Sequence, residues 1–264
     1  MIDKINKTTD SAISDLYMIQ ARLDGLELAK MAKVSHLPPH AADNGYLVHM
    51  TLRELFGQLA PQPFVINKYK GRTLEILGYA LNPVEEIQKH ADTFAYPEKH
   101  RLCDWSRLSG KQMPKAWPEG KMLGFELKTC PVKRMAKSGK HHKKGAEVDV
   151  FLAKCWEMED PSIPVDRYAV YREWLSDAFS RQSGARLEQK SLEIISFRKA
   201  RLVRRTQKPS TGSENGRKAI VLDKPEVTFK GRLTISDPKG FAQMLRKGIG
   251  RHKAFGYGML LLKP

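Results

Sequence analysis

Cysteine is scarce in this chain of 264 residues, and the three that are present, Cys103, Cys130 and Cys155, are far apart. An odd number without a Cys-x-x-Cys pair argues against a disulfide framework and against a cysteine-rich zinc site. No apolar run approaches the roughly 20 residues of a membrane-spanning helix, and the first residues lack the apolar core of a signal peptide. These absences predict a cytoplasmic protein with reduced thiols, no membrane association and no bound metal.

Acidic residues are also in short supply. The chain has 29 Asp and Glu against 46 Lys and Arg, for a net charge of +17. Such an excess of positive charge predicts a polyanionic partner, although charge alone does not separate RNA, DNA and an acidic membrane surface. Because no membrane-binding segment is apparent, a nucleic acid is the favoured partner. The length allows one large domain or two ordinary ones.

Apolar residues in the first half of the chain follow two periods. They alternate with polar residues over 16–23, which predicts a strand, and recur at helical spacing from 43 until Pro61, which predicts an amphipathic helix. Two strands within 63–79 and a helix from Pro83 complete the order strand, helix, strand, strand, helix. This order predicts a ferredoxin-like βαββαβ domain over 1–108.

The second half repeats this plan after a stretch rich in Pro, Gly and Lys, 109–120, which is a candidate linker. Alternating residues predict strands near 123–127 and 227–235, and helices are expected at 166–181 and 238–247. The predicted fold is therefore α+β, with two tandem ferredoxin-like (RRM-like) βαββαβ domains. The second domain, 121–264, would carry a basic insertion at 191–208 and a glycine-rich loop at 248–258.

Within the helix that begins near 43, Tyr46, His49 and Arg53 fall on one stripe beside the apolar face. A phenol, an imidazole and a guanidinium in a row suit acid/base chemistry at a phosphodiester, because histidine titrates near neutral pH. The alternative is structural: His49 flanks the core and Tyr46 packs beneath it. The residues alone leave both interpretations open.

The loop 248–258 combines four glycines, among them Gly248 and Gly250, with Arg251, His252 and Lys253. Glycines permit positive φ angles and a close approach of the backbone to a ligand. Successive backbone N–H groups in such a loop can bind a phosphate, and the cations have the right sign. The loop fits neither a G-x-G-x-x-G nor a G-x-x-x-x-G-K-[ST] pattern. A simple turn into a terminal strand is the alternative.

Other basic residues are candidates for contacts to RNA. The segment 197–208 holds six cations and no acid, and several of them would share one face if it is helical but would spread over both sides if it is extended. A basic loop around 137–145 is either a phosphate-touching hairpin tip or merely solvated, and its two adjacent histidines are a poor metal site. The candidates are Arg198, Lys199, Arg201, Arg204, Arg205, Lys208, Lys230, Arg232, Arg246, Lys247, His141 and His142, together with Gly248 and Gly250.

Two motifs stand out together: Tyr46-x-x-His49-x-x-Leu52 and the terminal Gly-Ile-Gly-x-x-Lys-x-Phe-Gly-x-Gly loop over 248–258. With them, nearly the whole chain resembles the CRISPR repeat-processing endoribonucleases of the repeat-associated mysterious protein (RAMP) superfamily. The nearest branch is the CasE-like subunit of type I systems or its type IV relatives. The resemblance implies two tandem ferredoxin-like domains that bind a CRISPR repeat hairpin and cut it once on the 3′ side of the stem, without metal or other cofactor.

The resemblance also implies roles for individual residues. The family's active-site histidine falls on His49, its tyrosine on Tyr46 and its glycine-loop lysine on Lys253. Because arginines carry the reaction in some type IV relatives, Arg22 and Arg251 are reserve candidates. Implied partners are the repeat stem-loop, the mature CRISPR RNA, which stays bound, and the other subunits of an effector complex. A non-cleaving, RNA-binding subunit of such a complex is the alternative.

Overall fold

The computed structural model describes residues 15–34, 44–160, 162–205 and 219–263. The N-terminal half forms a four-stranded antiparallel sheet. Its strands are β1 (Tyr17–Asp24), β2 (Phe64–Lys70), β3 (Thr73–Ala80) and β4 (Ser109–Gln112). Its helices are α1 (Gly25–Val34), α2 (Asn44–Phe56), α3 (Val84–Phe94) and the single turn α4 (Pro97–His100).

The strand order is β2-β3-β1-β4, with every neighbouring pair antiparallel. The connections from β1 to β2 and from β3 to β4 therefore each skip one strand, which is the ferredoxin-like arrangement. Alternation in β1 buries Ile19 and Leu23, and the helical spacing of α2 buries Val48 and Leu52 against them. The buried residues of the alternating segment and those of the helical segment thus pack together in one core.

The segment 109–120 differs from the predicted linker. Its first four residues are β4, whose Gly110 pairs with Ile19 of β1. Gly110 has no room for a side chain, since a Cβ there would lie 2.9 Å from the Cβ of Val84 in α3. Trp117 then packs edge-on against Phe241 of the second half. An exposed edge strand this short has no alternating apolar residues, so its sequence looks like a linker.

The C-terminal half is a second sheet with a small hairpin beside it. The sheet contains β5 (Met122–Thr129), β8 (Ala185–Leu187), β9 (Glu193–Arg205), β10 (Ala219–Ile235) and β11 (Leu260–Lys263). The hairpin consists of β6 (Val132–Arg134) and β7 (Glu147–Asp149). The helices are α5 (Val150–Glu157), α6 (Arg167–Ser180) and α7 (Pro238–Lys247).

The order in this sheet is β11-β5-β10-β8, and β9 also pairs with β10. If β8 and β9 together count as the second strand, the order repeats that of the first sheet. Phe229 and Leu233 of β10 are buried with Leu175 of α6 and Leu245 of α7, so both helices cover one face. The predicted pair of ferredoxin-like domains is present.

The basic insertion predicted over 191–208 is largely the strand β9, and the helical alternative for it is wrong. β9 pairs with β10 almost throughout, from Glu193 opposite Lys230 to Arg205 opposite Ala219. Ala200 and Leu202 alternate with exposed Arg201 and are buried, which favours an extended backbone. The cations are therefore spread over a β-hairpin and do not line one side of a helix.

Candidate active site and nucleic-acid interface

The glycine loop and helix α2 are in direct contact, although they belong to different halves of the chain. The ring of Tyr46 stacks on that of Phe255, with centroids 5.8 Å apart and planes inclined by 27°. Gly45 lies so close to the backbone of Phe255 that a Cβ at this position would overlap its carbonyl group. Phe255 ends a single 3₁₀ turn, Lys253–Phe255. Two motifs that are far apart in the sequence thus meet at one junction.

His49 is four residues after Gly45 and three after Tyr46, so it shares their face of α2. The side chain is partly buried, and burial followed by the nearby charge of Arg53 holds the pKa of His49 below its ordinary value. A histidine with a lowered pKa is neutral near pH 7 and able to accept a proton. The position is therefore compatible with a general base, and its partial burial is equally compatible with the structural role considered above.

Lys253 begins the 3₁₀ turn that ends at Phe255, so it is close to the same junction. It too is partly buried, and burial followed by the charge of Lys247 lowers the pKa of Lys253. Removing an ammonium group from water strengthens its attraction for an anion. The turn that contacts α2 therefore carries a partly desolvated cation.

The two reserve arginines, Arg22 and Arg251, each form an ion pair with a glutamate. Arg22 lies on the face of β1 opposite the buried Ile19 and Leu23, so the sheet separates it from α2. There its Nη2 is 3.3 Å from Oε2 of Glu75. Arg251 is in the glycine loop, but its Nη1 donates a hydrogen bond of 2.6 Å to Oε1 of Glu147. The sheet therefore separates Arg22 from His49, whereas Lys253 belongs to the turn that contacts α2.

The glycines of the loop are explained by close packing. Gly248 has φ of 67°, and a Cβ there would lie 2.6 Å from the carbonyl oxygen of Gly258. Gly250 has φ of 80°, and a Cβ there would lie 3.1 Å from the ring of Trp174. The amide of Gly248 donates to Met244, which leaves that N–H unavailable to a phosphate. Close packing thus fixes the backbone that carries the loop cations, and the same loop leads into β11.

Sequence reasoning missed Glu147, which organises the cations of the loop. Its carboxylate accepts the hydrogen bond from Arg251 at one oxygen, while the other oxygen is 2.9 Å from Nε2 of His252 and 3.7 Å from Nζ of Lys224. Burial alone would raise the pKa of Glu147, but His252, Arg251 and Lys224 together hold it below its ordinary value. One signal was available: Glu147 is the first acidic residue after Glu126 in a strongly basic stretch.

These residues line a cleft of about 720 Å³ beside the loop. Its walls come from the loop, from β10 and from the β6–β7 hairpin. Four cationic side chains line it, namely Arg134, Lys224, Arg251 and Lys253. Tyr46 and His49 are outside this lining, so the cleft adjoins the junction with α2 and is distinct from it.

The candidate RNA-binding residues fall into separate groups. In β9, the Arg198 guanidinium donates to both oxygens of buried Glu226, at 2.6 and 3.0 Å, and Arg201 faces Asp223 at 3.5 Å. Lys199 is exposed. Arg204 and Arg205 end β9, with side chains that are not described, and Lys208 lies outside the described residues. β9 thus holds some of its cations in internal ion pairs.

Other candidates are exposed at different places on the second sheet and its helices. Lys230 and Arg232 project from β10 on the face opposite the buried Phe229 and Leu233, and this face is not covered by α6 and α7. Arg246 and Lys247 are exposed in the last turn of α7, where Lys247 donates to Gln243 at 3.4 Å. Of these cations, Arg246 and Lys247 directly precede the glycine loop in the sequence.

The histidine pair of the basic loop packs on a tryptophan. The rings of His141 and His142 stack on Trp156 of α5, with centroids 5.2 and 5.8 Å away. Gly139 leaves room for His142, because a Cβ at 139 would lie 2.8 Å from its Nε2. The exposed His141 ring is held against an aromatic side chain, and four lysines surround it in the sequence.

Metal-ligand clusters and membrane-spanning helices are both absent from the part of the chain that the structure describes. Three or more His, Cys, Asp or Glu side chains do not gather there at any point in a geometry that could hold a metal ion. In the same residues, the helices are all too short or too polar to cross a membrane.

A family model described as "CRISPR associated protein" matches residues 16–264, which is nearly the whole chain. The chain belongs to this family of CRISPR-associated proteins. The resemblance on the Tyr-x-x-His and glycine-loop motifs is thereby confirmed. A curated relative, the CRISPR-associated endoribonuclease Cse3 of Thermus thermophilus, is 28% identical over 171 residues, covering 61% of this chain and 68% of that protein.

Solved structures of the family share the fold. Cse3 bound to a 19-nucleotide RNA matches 94% of this chain and 100% of its own, with a TM-score of 0.60 and 20% identity. Cas6e of Escherichia coli K-12 matches 94% and 99%, with a TM-score of 0.56 and 18% identity. A chain of a CRISPR RNA-guided surveillance complex matches 93% and 98%, with a TM-score of 0.53 and 15% identity. These matches confirm the fold predicted from the sequence.

Proposed function

We propose that this protein is an endoribonuclease that binds the repeat hairpin of precursor CRISPR RNA and cleaves it once to release guide RNA. The observation that carries this proposal is the contact between α2, with Tyr46 and His49, and the glycine-loop turn that begins at Lys253. The relative named an endoribonuclease and the RNA-bound Cse3 structure support the same activity.

The proposed reaction is attack of a ribose 2′-hydroxyl on its own phosphate. The bond between the 2′-oxygen and phosphorus forms while the bond from phosphorus to the 5′-oxygen breaks. The products are a 2′,3′-cyclic phosphate and a free 5′-hydroxyl. This route needs a proton acceptor, a proton donor and stabilisation of the negative charge that grows on the phosphate, but it needs no hydrolytic water.

Each residue at the junction fits one of these needs. His49 is the general base for the 2′-hydroxyl, or the acid for the departing 5′-oxygen, a role that contributes about 10²- to 10⁴-fold. The Tyr46 hydroxyl positions the 2′-hydroxyl or the phosphate. Lys253 stabilises the developing charge, and its partial burial strengthens that interaction.

Specificity is proposed to come from the shape of the RNA. The deep major groove of an A-form stem is hard for side chains to read, so contacts go to phosphates and to unpaired flanking bases. The exposed cations Lys199, Lys230 and Arg232 supply such contacts. After the cut, the product is proposed to stay bound and to join the other subunits of an effector complex, as the match to a surveillance-complex chain suggests.

The test is incubation of end-labelled repeat RNA with the protein in excess EDTA, followed by analysis of the product ends. One cut is expected, with a 3′ end that resists phosphatase until acid opens the cyclic phosphate. Tight binding without a cut on any repeat would instead identify an RNA-binding subunit. A cut only after Mg²⁺ is restored would contradict the metal-independent route.

A further inference from the structure

The basic cleft beside the glycine loop holds a lysine in an unusual setting. Lys224 lies in the middle of β10 and is only 8% exposed. Its Nζ donates 3.0 Å to the carbonyl oxygen of Glu147 and is 3.7 Å from that residue's carboxylate. Burying an ammonium group costs free energy unless an anion is nearby. Lys224 therefore needs negative charge in or beside the cleft.

Glu147 does not supply enough of it. Its carboxylate is already shared with Arg251 at 2.6 Å and with His252 at 2.9 Å. Arg134 and Lys253 also line the cleft, and the described residues of the lining include no second carboxylate. Four cationic side chains thus line the cleft beside one carboxylate, an imbalance that a phosphate group would correct.

The position of the cleft indicates which phosphate would fit. Its lining includes Lys253, the glycine-loop lysine at the proposed active site, but excludes Tyr46 and His49. An anion bound in the cleft is therefore not in contact with Tyr46 or His49 of α2. Lys253 lines the cleft and begins the turn whose last residue, Phe255, stacks on Tyr46, so an RNA strand bound both at the α2 junction and in the cleft would pass along this turn.

We propose that this cleft binds a backbone phosphate of the RNA next to the cleaved one, with Lys224 and Arg134 as its main contacts. This inference rests on the proposed function for the identity of the strand. Glu147 keeps Lys224 and Arg251 in place at the wall of the cleft. The contact contributes to binding and to alignment of the cut, and it takes no part in bond making.

The experiment combines protein variants with single neutral linkages in the RNA. Lys224→Met removes the buried charge, and Arg134→Gln removes an exposed one that is not expected to affect folding. Lys133→Gln is the matched control: it lies one residue from Arg134 on β6, points to the other face and pairs with Glu157. Affinity for repeat RNA is measured across a salt series, with methylphosphonate placed in turn at each linkage around the cut.

The expected result is a loss of about tenfold in affinity for Arg134→Gln and for Lys224→Met, and a salt slope smaller by about 1 for each. One methylphosphonate, at a linkage other than the cleaved one, should cause a larger loss in the unaltered protein than either substitution does, and a smaller loss in each variant than in the unaltered protein. Lys133→Gln should retain this sensitivity to the methylphosphonate.

The proposal would be overturned if, at every linkage, the loss of affinity caused by the methylphosphonate simply added to the loss caused by the substitution. Unchanged affinity in Arg134→Gln would also overturn it. Cleavage by the unaltered protein is followed on the same RNAs. Binding without cleavage would contradict the proposed nuclease activity. The affinities would still test the cleft, because they show whether the effect of the methylphosphonate depends on Lys224 and Arg134. The two failures are therefore distinguishable.

Discussion

Tyr46 and Phe255 stack face to face across the boundary between the two halves of the molecule, with ring centroids 5.8 Å apart. The stack holds α2 against the turn that begins at Lys253. It also separates two possible roles of Tyr46, since the ring makes this contact and the hydroxyl is the group proposed to touch the RNA.

Two substitutions test these roles separately. Tyr46→Phe keeps the ring and should leave the free energy of unfolding nearly unchanged while it lowers kcat. Phe255→Leu keeps the hydroxyl but removes the stack, so it should cost about 0.5–1.5 kcal/mol of stability and also slow cleavage through misalignment. Urea unfolding and single-turnover cleavage measure both effects. Equal kcat in Tyr46→Phe and the unaltered protein would remove the hydroxyl from the mechanism.

The pKa of His49 predicts the acidic limb of the pH–rate profile. Because burial and Arg53 lower this pKa, cleavage that depends on neutral His49 should stay active below the ordinary value of 6.5 and fall only at lower pH. Removing the charge in Arg53→Gln should move this limb toward higher pH. Single-turnover rates from pH 4.5 to 8 would show the shift. A limb at the same pH in both proteins would mean that another group titrates.

The free energy of unfolding should also depend on the titration of His49, and the direction of this pH dependence follows from its lowered pKa. The folded state holds the His49 proton less tightly than the unfolded state does, so the free energy of unfolding should rise as pH increases through the range from the folded pKa up to about 6.5. His49→Gln removes this titration and should make the profile less steep there, with the remaining slope coming from His252, whose pKa burial also lowers. Denaturant unfolding at several pH values tests this, and an unchanged profile would contradict it.

Lys253 is expected to act on the transition state. Lys253→Met should lower kcat by about 10²- to 10³-fold, the usual cost of losing one electrostatic contact to developing charge, with a smaller effect on affinity. Lys247→Met is an informative comparison, because Lys247 contributes to the lowered pKa of Lys253. Its loss should raise that pKa and extend activity to higher pH. A similar fall in kcat for both variants would point to general loss of positive charge.

Glu226 is expected to stabilise the second domain. It is 5% exposed and accepts hydrogen bonds from Arg198 and from the Tyr257 hydroxyl, the latter at 2.8 Å. Burial would raise the pKa of Glu226, but Arg198, Lys128 and Tyr257 outweigh it and hold it below the ordinary 4.5. Its contribution is therefore present above pH 4.5 and lost as pH falls through the folded pKa.

Glu226→Gln measures this contribution. At pH 7 the variant should be about 1–3 kcal/mol less stable, and the difference should shrink below pH 4.5, where the native side chain becomes protonated. Urea unfolding at pH 7 and pH 4 is the measurement. A difference that does not change with pH would show that packing, and not charge, accounts for the effect.

Most of the fold was predictable because its main elements have clear periods. β1 alternates, α2 and α6 bury residues at helical spacing, and the ferredoxin-like order follows from their sequence. β4 was missed because a four-residue exposed edge strand carries no such pattern. β9 stayed ambiguous because its cations hide the alternation, which only Ala200 and Leu202 reveal.

The candidate site was predictable in its motifs and not in its contacts. Tyr46, His49 and Lys253 were proposed from two short motifs, and α2 and the glycine loop are in contact. The role of Glu147 could not be predicted, since it depends on Lys224 of β10 and Arg251 of the loop converging on one carboxylate. Convergence of distant segments is set by tertiary packing, which no local pattern records.

Cleavage of a repeat RNA with a single 2′-deoxy at the cut site, in EDTA, shows whether the 2′-hydroxyl and His49 carry the reaction. The unaltered protein is compared with His49→Ala on this RNA and on the all-ribose form. We expect that both proteins bind both RNAs, that the deoxy RNA is not cut, and that His49→Ala cuts the all-ribose RNA about 10²- to 10⁴-fold more slowly. Cutting of the deoxy RNA, or full activity without His49, would contradict this expectation.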